Sequence, residues 1–159
     1  MHTFKMHEII TMILLFLSLL LSGPAFSQGA ARHSAGGFLG FTDRDDADFT
    51  LGAEYEYRPR EPWSFGAIVE HTPDVVFGRD FTLVLAAAHY RPPSIQRLKL
   101  TGGAGIEFKD VGGDDARFRL GAGYDVFMNG PLTITPRIAV DFGEGDESIV
   151  FGVTAMYGF

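Results

Sequence analysis

The chain has 159 residues, 46% hydrophobic and 21% charged, with 20 Gly, 15 Phe, no Cys and a formal charge of −7. Aperiodic glycines and missing cysteines exclude collagen-like and disulfide-scaffold classes, and 13% aromatic residues supply enough apolar surface to exclude a disordered chain. The length fits one domain, and the acidic balance leaves no clustered Lys and Arg for phosphate binding, so no nucleic-acid partner is expected.

Residues 1–27 read as a secretory signal peptide. Lys5 gives a modest positive start, and Ile9 to Leu21 is a run of 13 nearly continuous apolar residues, short of the roughly 20 that a spanning helix needs. Ser22-Gly23-Pro24 ends the run, and Ala25-Phe26-Ser27 places small residues before a cleavage point at Gln28. The mature domain is expected over 28–159, beyond the inner membrane, and without Cys it has no lipoprotein attachment site.

From Ser34 the chain becomes a series of runs that alternate apolar with small or polar residues, separated by turn-like residues. They cover 34–42, 47–58, 63–71, 80–90, 97–108, 116–127, 132–142 and 148–159. Period-two alternation at this length predicts strands, with no helical stripe after the leader. The last run is the clearest: Ile149, Phe151, Val153, Ala155, Tyr157 and Phe159 share one face. Two places depart from the scheme. Strand four, Phe81 to Tyr90, alternates poorly, leaving open whether His89 or Tyr90 faces inward. Pro136 lies inside strand seven, where its missing donor predicts a bulge.

A degenerate repeat fixes a common frame. The segments beginning at Leu51, Phe65, Gly102 and Leu120 each carry Gly second, Ala third, a large apolar residue fifth and an acid sixth. The pattern puts Gly and the acid on one face, with Ala and the large apolar residue on the other. The charges well inside strands share that acidic face: Glu54, Glu56, Glu70, Lys99, Glu107, Arg117, Arg119, Asp125, Arg137 and Asp141.

Such alternation suits a soluble barrel with its apolar face inward or a membrane barrel with that face outward. Four features select the membrane. The apolar face carries no charge, as it must when a basic side chain at mid-bilayer costs about 2–4 kcal/mol. The charged face is rich in glycine, which suits a narrow lumen and weakens a water-facing sheet. Aromatics gather at strand ends, with Tyr57, Trp63, Phe65, Tyr124, Tyr157 and Phe159 at one rim. Phe49, Phe81, Phe108, Phe118, Phe142 and Phe151 fall at the other rim. The final residue is an aromatic at the membrane boundary. The expected fold is all-β: an eight-stranded, antiparallel, up-and-down transmembrane β-barrel.

The leader, the eight strands and the ending Val153-Thr-Ala-Met-Tyr-Gly-Phe159 resemble the small outer-membrane barrels of the OmpX/OmpA type over residues 34–159. The resemblance implies a monomer in a Gram-negative outer membrane with a water-poor lumen. It also implies that the terminal aromatic pattern is read by the barrel-assembly machinery. The chain differs from that family in its very short connections.

With the N-terminus periplasmic, loops near 43–48, 72–80, 109–115 and 143–147 are extracellular and carry −9 in total. Those near 58–62, 91–97 and 128–131 carry +1, +2 and 0. The acidic rim suits divalent cations shared with lipopolysaccharide phosphates, making outer-membrane lipid and lipopolysaccharide the expected partners. Strand direction sorts the lumen charges into two ion-pair layers. The upper layer is Glu70, Glu107, Arg117, Arg119 and Asp141; the lower is Glu56, Arg58, Lys99, Asp125 and Arg137.

No catalytic residue, cofactor or metal site is expected. Ser64 lies seven positions from His71 on one strand, about 23 Å away, and Thr72 points to the opposite face from His71. The three histidines of the mature chain, His33, His71 and His89, are far apart in sequence. The expected role is structural or surface-interacting. A lipid-A-modifying enzyme and a narrow solute channel are the alternatives.

Overall fold

The computed structural model describes residues 32–44, 47–73, 80–110, 112–143 and 146–159. The expected leader, 1–27, lies outside the described residues, as do parts of all four acidic loops. The strands are β1 (His33–Asp43), β2 (Ala47–Arg60), β3 (Trp63–Thr72), β4 (Phe81–Tyr90), β5 (Leu98–Lys109), β6 (Asp115–Tyr124), β7 (Phe127–Asn129), β8 (Leu132–Phe142) and β9 (Glu147–Gly158). Each pairs antiparallel with its neighbour, β1 also pairs with β9, and β6 pairs with β8, so the sheet closes. The main strands run 10–14 residues, long enough for tilted strands to cross a hydrocarbon core.

β6 and β7 are one stave of an eight-stave cylinder, interrupted at Asp125-Val126. The pairings Gly123↔Arg137 and Phe127↔Ile134 differ by one residue, so the extra residue sits on the β6–β7 side, facing Thr135 and Pro136. Pro136 itself keeps an unbroken register with Val153 of β9. The bulge expected at Pro136 therefore lies on the partner strand, opposite the position where Pro136 has no N–H to donate to the ladder. Asp125 and Val126 find other acceptors, the carbonyls of Arg97 and Ile134, at 2.8 and 3.0 Å.

The long strands alternate more and less exposed residues, while the three residues of β7 are all exposed. The exposed set is apolar, including Leu39, Phe118, Leu120, Ile138 and Val153; Leu120 is 63% exposed. The inward set mixes two apolar clusters with the ionic groups. Ile68, Leu83, Leu85 and Ala87 line the β3–β4 wall, while Phe38, Ala139 and Val150 line the wall formed by β1, β8 and β9. Glycine makes room for this filling: a Cβ at Gly152 would stand 2.7 Å from the Phe38 ring. Strand four resolves with His89 inward and fully buried, and Tyr90 outward beside Trp63 at 4.9 Å between rings. Phe81 shares the inward parity of Leu83 and lies 4.7 Å beneath the Arg44 guanidinium. It belongs to the mouth of the lumen rather than to the outer girdle.

Candidate functional site

The interior is the chemically distinctive part of the molecule, and it divides into two ionic networks. The longer one starts at Asp141 on β8, which accepts from Arg119 Nε at 2.6 Å. Arg119 Nη2 reaches Glu70 on β3 at 2.6 Å, and Glu70 also pairs with Arg137. Arg137 Nη1 continues to Glu54 at 2.7 Å, and Lys99 Nζ reaches the other Glu54 oxygen at 3.0 Å. Lys99 also lies 3.6 Å from Glu56, which receives Arg91 at 2.7 Å, Arg58 at 3.2 Å and the Ser64 hydroxyl at 2.7 Å. Arg91 ends the chain 3.8 Å from Asp125, whose other oxygen accepts from Thr135 at 2.6 Å. Glu54, Glu56, Glu70, Asp125 and Asp141 are thus matched by Arg58, Arg91, Lys99, Arg119 and Arg137. Such pairing offsets the large cost of taking each charge out of water.

The shorter network closes the opposite mouth. Arg44 grips Glu107 with both terminal nitrogens, at 2.7 and 3.3 Å. Arg117, wholly buried, reaches Glu107 at 3.0 Å and Asp146 at 2.6 Å, and Arg44 Nε lies 3.3 Å from Asp146. Lys109 bridges Glu107, at 3.5 Å, to Asp115. The Arg117 guanidinium lies across Gly143, where any Cβ would collide with it. Asp146 stands outside the strands, and its hydrogen bond with Arg117 holds its carboxyl below the ordinary aspartate range.

This grouping differs from the two expected layers. Glu70, Arg119 and Asp141 join the lower residues through Arg137, which sits between Glu70 and Glu54. Glu107 and Arg117 form the separate mouth cluster, and none of these ion pairs joins it to the longer network. Arg44, Arg91, Lys109, Asp115 and Asp146 belong to neither expected layer, and Glu54 is expected only as a lumen charge. Carrying the period-two count a residue or two past the strand ends finds Lys109, Asp115, Arg91 and Asp146, since each keeps its strand's inward parity. On the outside, Tyr57, Trp63, Tyr124, Tyr157 and Phe159 are all exposed at the rim where β9 ends.

Two arrangements resemble reactive sites. Ser64 and His89 are cross-strand partners, yet the Ser64 hydroxyl donates to Glu56 and His89 Nδ1 bonds Thr101 Oγ1 at 2.9 Å. Both residues are 0% exposed, away from lipid and water. His71 bonds Thr82 at 3.1 Å on the outer face. Glu54, Glu56 and His89 place ligand atoms within 4.8 Å of one another, a grouping that sequence spacing alone does not reveal. Lys99 lies between the two carboxylates, and Arg91 and Arg137 hold their other lone pairs. A divalent cation would enter only by displacing Lys99 and would leave surplus positive charge in a balanced network.

No family model matches the chain and no curated protein is similar to it in sequence. Solved structures are similar in fold. Neisserial surface protein A superposes with a TM-score of 0.61 at 12% identity, covering 83% of this chain and 100% of that one. The N-terminal barrel domain of Pseudomonas aeruginosa OprF gives 0.57 at 15% identity, covering 82% and 100%. Ail, the attachment invasion locus protein of Yersinia pestis, gives 0.53 at 16% identity, covering 84% and 100%. The chain has the closed, eight-stave antiparallel fold of the small outer-membrane β-barrels.

Proposed function

We propose that the protein is an integral, monomeric barrel of the Gram-negative outer membrane with a structural or surface-interacting role and no catalysis. The observation that carries this reading is sidedness: an apolar exterior, uncharged between its rims, around an interior in which acids and bases are matched. An eight-strand cylinder has an interior just wide enough for side chains, and here the side chains are large, ionic and mutually bound. That filling is what supports a closed lumen. The buried Ser64 and His89, each committed to another partner, support the absence of hydrolysis. The acidic loops present carboxylates to cations shared with lipopolysaccharide, while the leader and terminal aromatic serve export and assembly.

Planar-bilayer recording of the purified, refolded protein tests the closed lumen. The expected trace is flat at all applied voltages; discrete conductance steps would replace this reading with a solute channel. Mass analysis of lipid A incubated with the same preparation is expected to show no change, and loss of an acyl chain would make the protein an enzyme.

A further inference from the structure

The two rims differ in the charge that the fold leaves unpaired. At the rim where β9 ends, Arg32, Arg60 and Arg97 are exposed with one exposed acid, Glu61 beside Arg60, and none of these side chains takes part in an ion pair among the described residues. At the other rim the cations Arg44 and Lys109 are held by acids, while Asp43, Asp110, Asp114 and Glu147 are exposed.

Arg60 owes its position to a bulge. β2 pairs Tyr57 with Phe65, but Arg60 with Trp63, a shift of one residue. An extra residue re-aims the side chains beyond it, and here it brings Arg60 to the same face as Trp63, the lipid-facing side. The connection carrying Arg97 is joined to this corner, because the Arg91 amide donates to the Pro62 carbonyl at 2.9 Å. Directly inward along the barrel wall stand the paired rings of Trp63 and Tyr90. Beyond them the register aligns Phe65, Ala88, Gly102 and Leu120 across four strands. Ala88 and Gly102 floor a trough one side chain deep between Phe65 and Leu120, both strongly exposed.

We propose that this sector seats an anionic phospholipid, its phosphate held by Arg60 in the field of Arg97 and one acyl chain along the Ala88–Gly102 trough. The amphiphile matches the site in order: cations at the rim, amphipathic rings at the interface, then an apolar channel. The proposal rests on the membrane-spanning reading and adds a lipid preference to it.

Trp63 is the one tryptophan of the chain and lies at the site, so its fluorescence reports which lipid is there. The protein is reconstituted into vesicles of phosphatidylcholine and phosphatidylglycerol, with one or the other dibrominated as a quencher. Phosphatidylglycerol is expected to be preferred at Trp63 by about fivefold at low salt, the effect of one basic side chain beside an anionic surface. Arg60→Gln is expected to bring the preference close to one, Arg60→Lys to keep part of it, and Asp114→Asn at the other rim to leave it unchanged. Equal quenching by the two lipids, or a preference that survives Arg60→Gln, overturns the proposal. Loss of the preference on adding millimolar inorganic phosphate, at constant ionic strength, would make the site one for free phosphate rather than lipid. Absence of quenching by either lipid would instead refute the membrane-spanning reading.

Discussion

The two ionic networks use the same chemistry under different constraints. In the longer one every charged group except Arg91 and Asp125, which sits at the break between β6 and β7, projects from a strand, and most are as buried as the apolar core. In the mouth cluster, Arg44 and Asp146 come from connections, and the Asp146 side chain is 35% exposed. Strands fix geometry and exclude water, so a lost partner there leaves a naked buried charge. Connections can relax, and water can replace a lost partner. The interior network should therefore be intolerant of single changes, and the mouth tolerant.

Arg119→Met should have the largest effect. It leaves Asp141 buried without Arg119, its one cationic partner among the described residues, whereas Glu70 keeps Arg137. Breaking a buried pair from one side costs about 3–5 kcal/mol, measurable as reduced unfolding free energy in urea with the barrel in lipid. The double change Arg119→Met with Asp141→Leu should recover much of the loss, because removing both partners removes the naked charge. An equally destabilised double variant would mean that the pair is not the cause.

Leu120→Arg, one residue along the same strand, should cost about 2–4 kcal/mol through a different mechanism, exposure of a cation to hydrocarbon. The penalty should be present in bilayers, where hydrocarbon surrounds position 120. A cost near zero there would place that position in contact with water.

The smallest effect belongs to the mouth. Asp146→Asn should cost under about 1 kcal/mol, in the range of partly exposed pairs. Acid should reproduce it. Because the folded Asp146 carboxyl is held below its ordinary range, its contribution is complete above the ordinary aspartate pKa and fades only as pH falls through the lower folded value. The protection factor of the Gly143 amide, whose N–H donates to the Asp146 carbonyl at 3.1 Å, should fall only in that acidic window. A loss of protection at neutral pH would contradict the assignment.

These contrasts also explain what could be read in the chain. The repeat acids Glu56, Glu70, Glu107 and Asp125 are all buried, because period-two alternation is a local property that survives without knowledge of neighbours. Strand four is ambiguous for the same reason: Leu83, Val84, Leu85 and Ala86 offer no contrast between faces, and only pairing with β3 and β5 sets the parity. The partition into networks is not legible, since it depends on how far each long side chain reaches. Arg137 spans from Glu54 to Glu70 across the lumen, and Arg91 folds back from a connection onto Glu56. Nor does sequence say on which strand a bulge near Pro136 will fall, because both chains of the ladder can absorb it.

Sidedness is the claim on which the rest stands, and strand four allows it to be measured without disturbing an ion pair. The chain has no Cys, so Val84→Cys and Leu85→Cys can each carry a single nitroxide in a bilayer. Val84 is 40% exposed and Leu85 1%. The label at 84 should collide readily with oxygen and hardly with a water-soluble nickel complex, while the label at 85 should meet neither. Ready collision of the nickel complex with position 84, or a reversal of the two positions, would contradict the account.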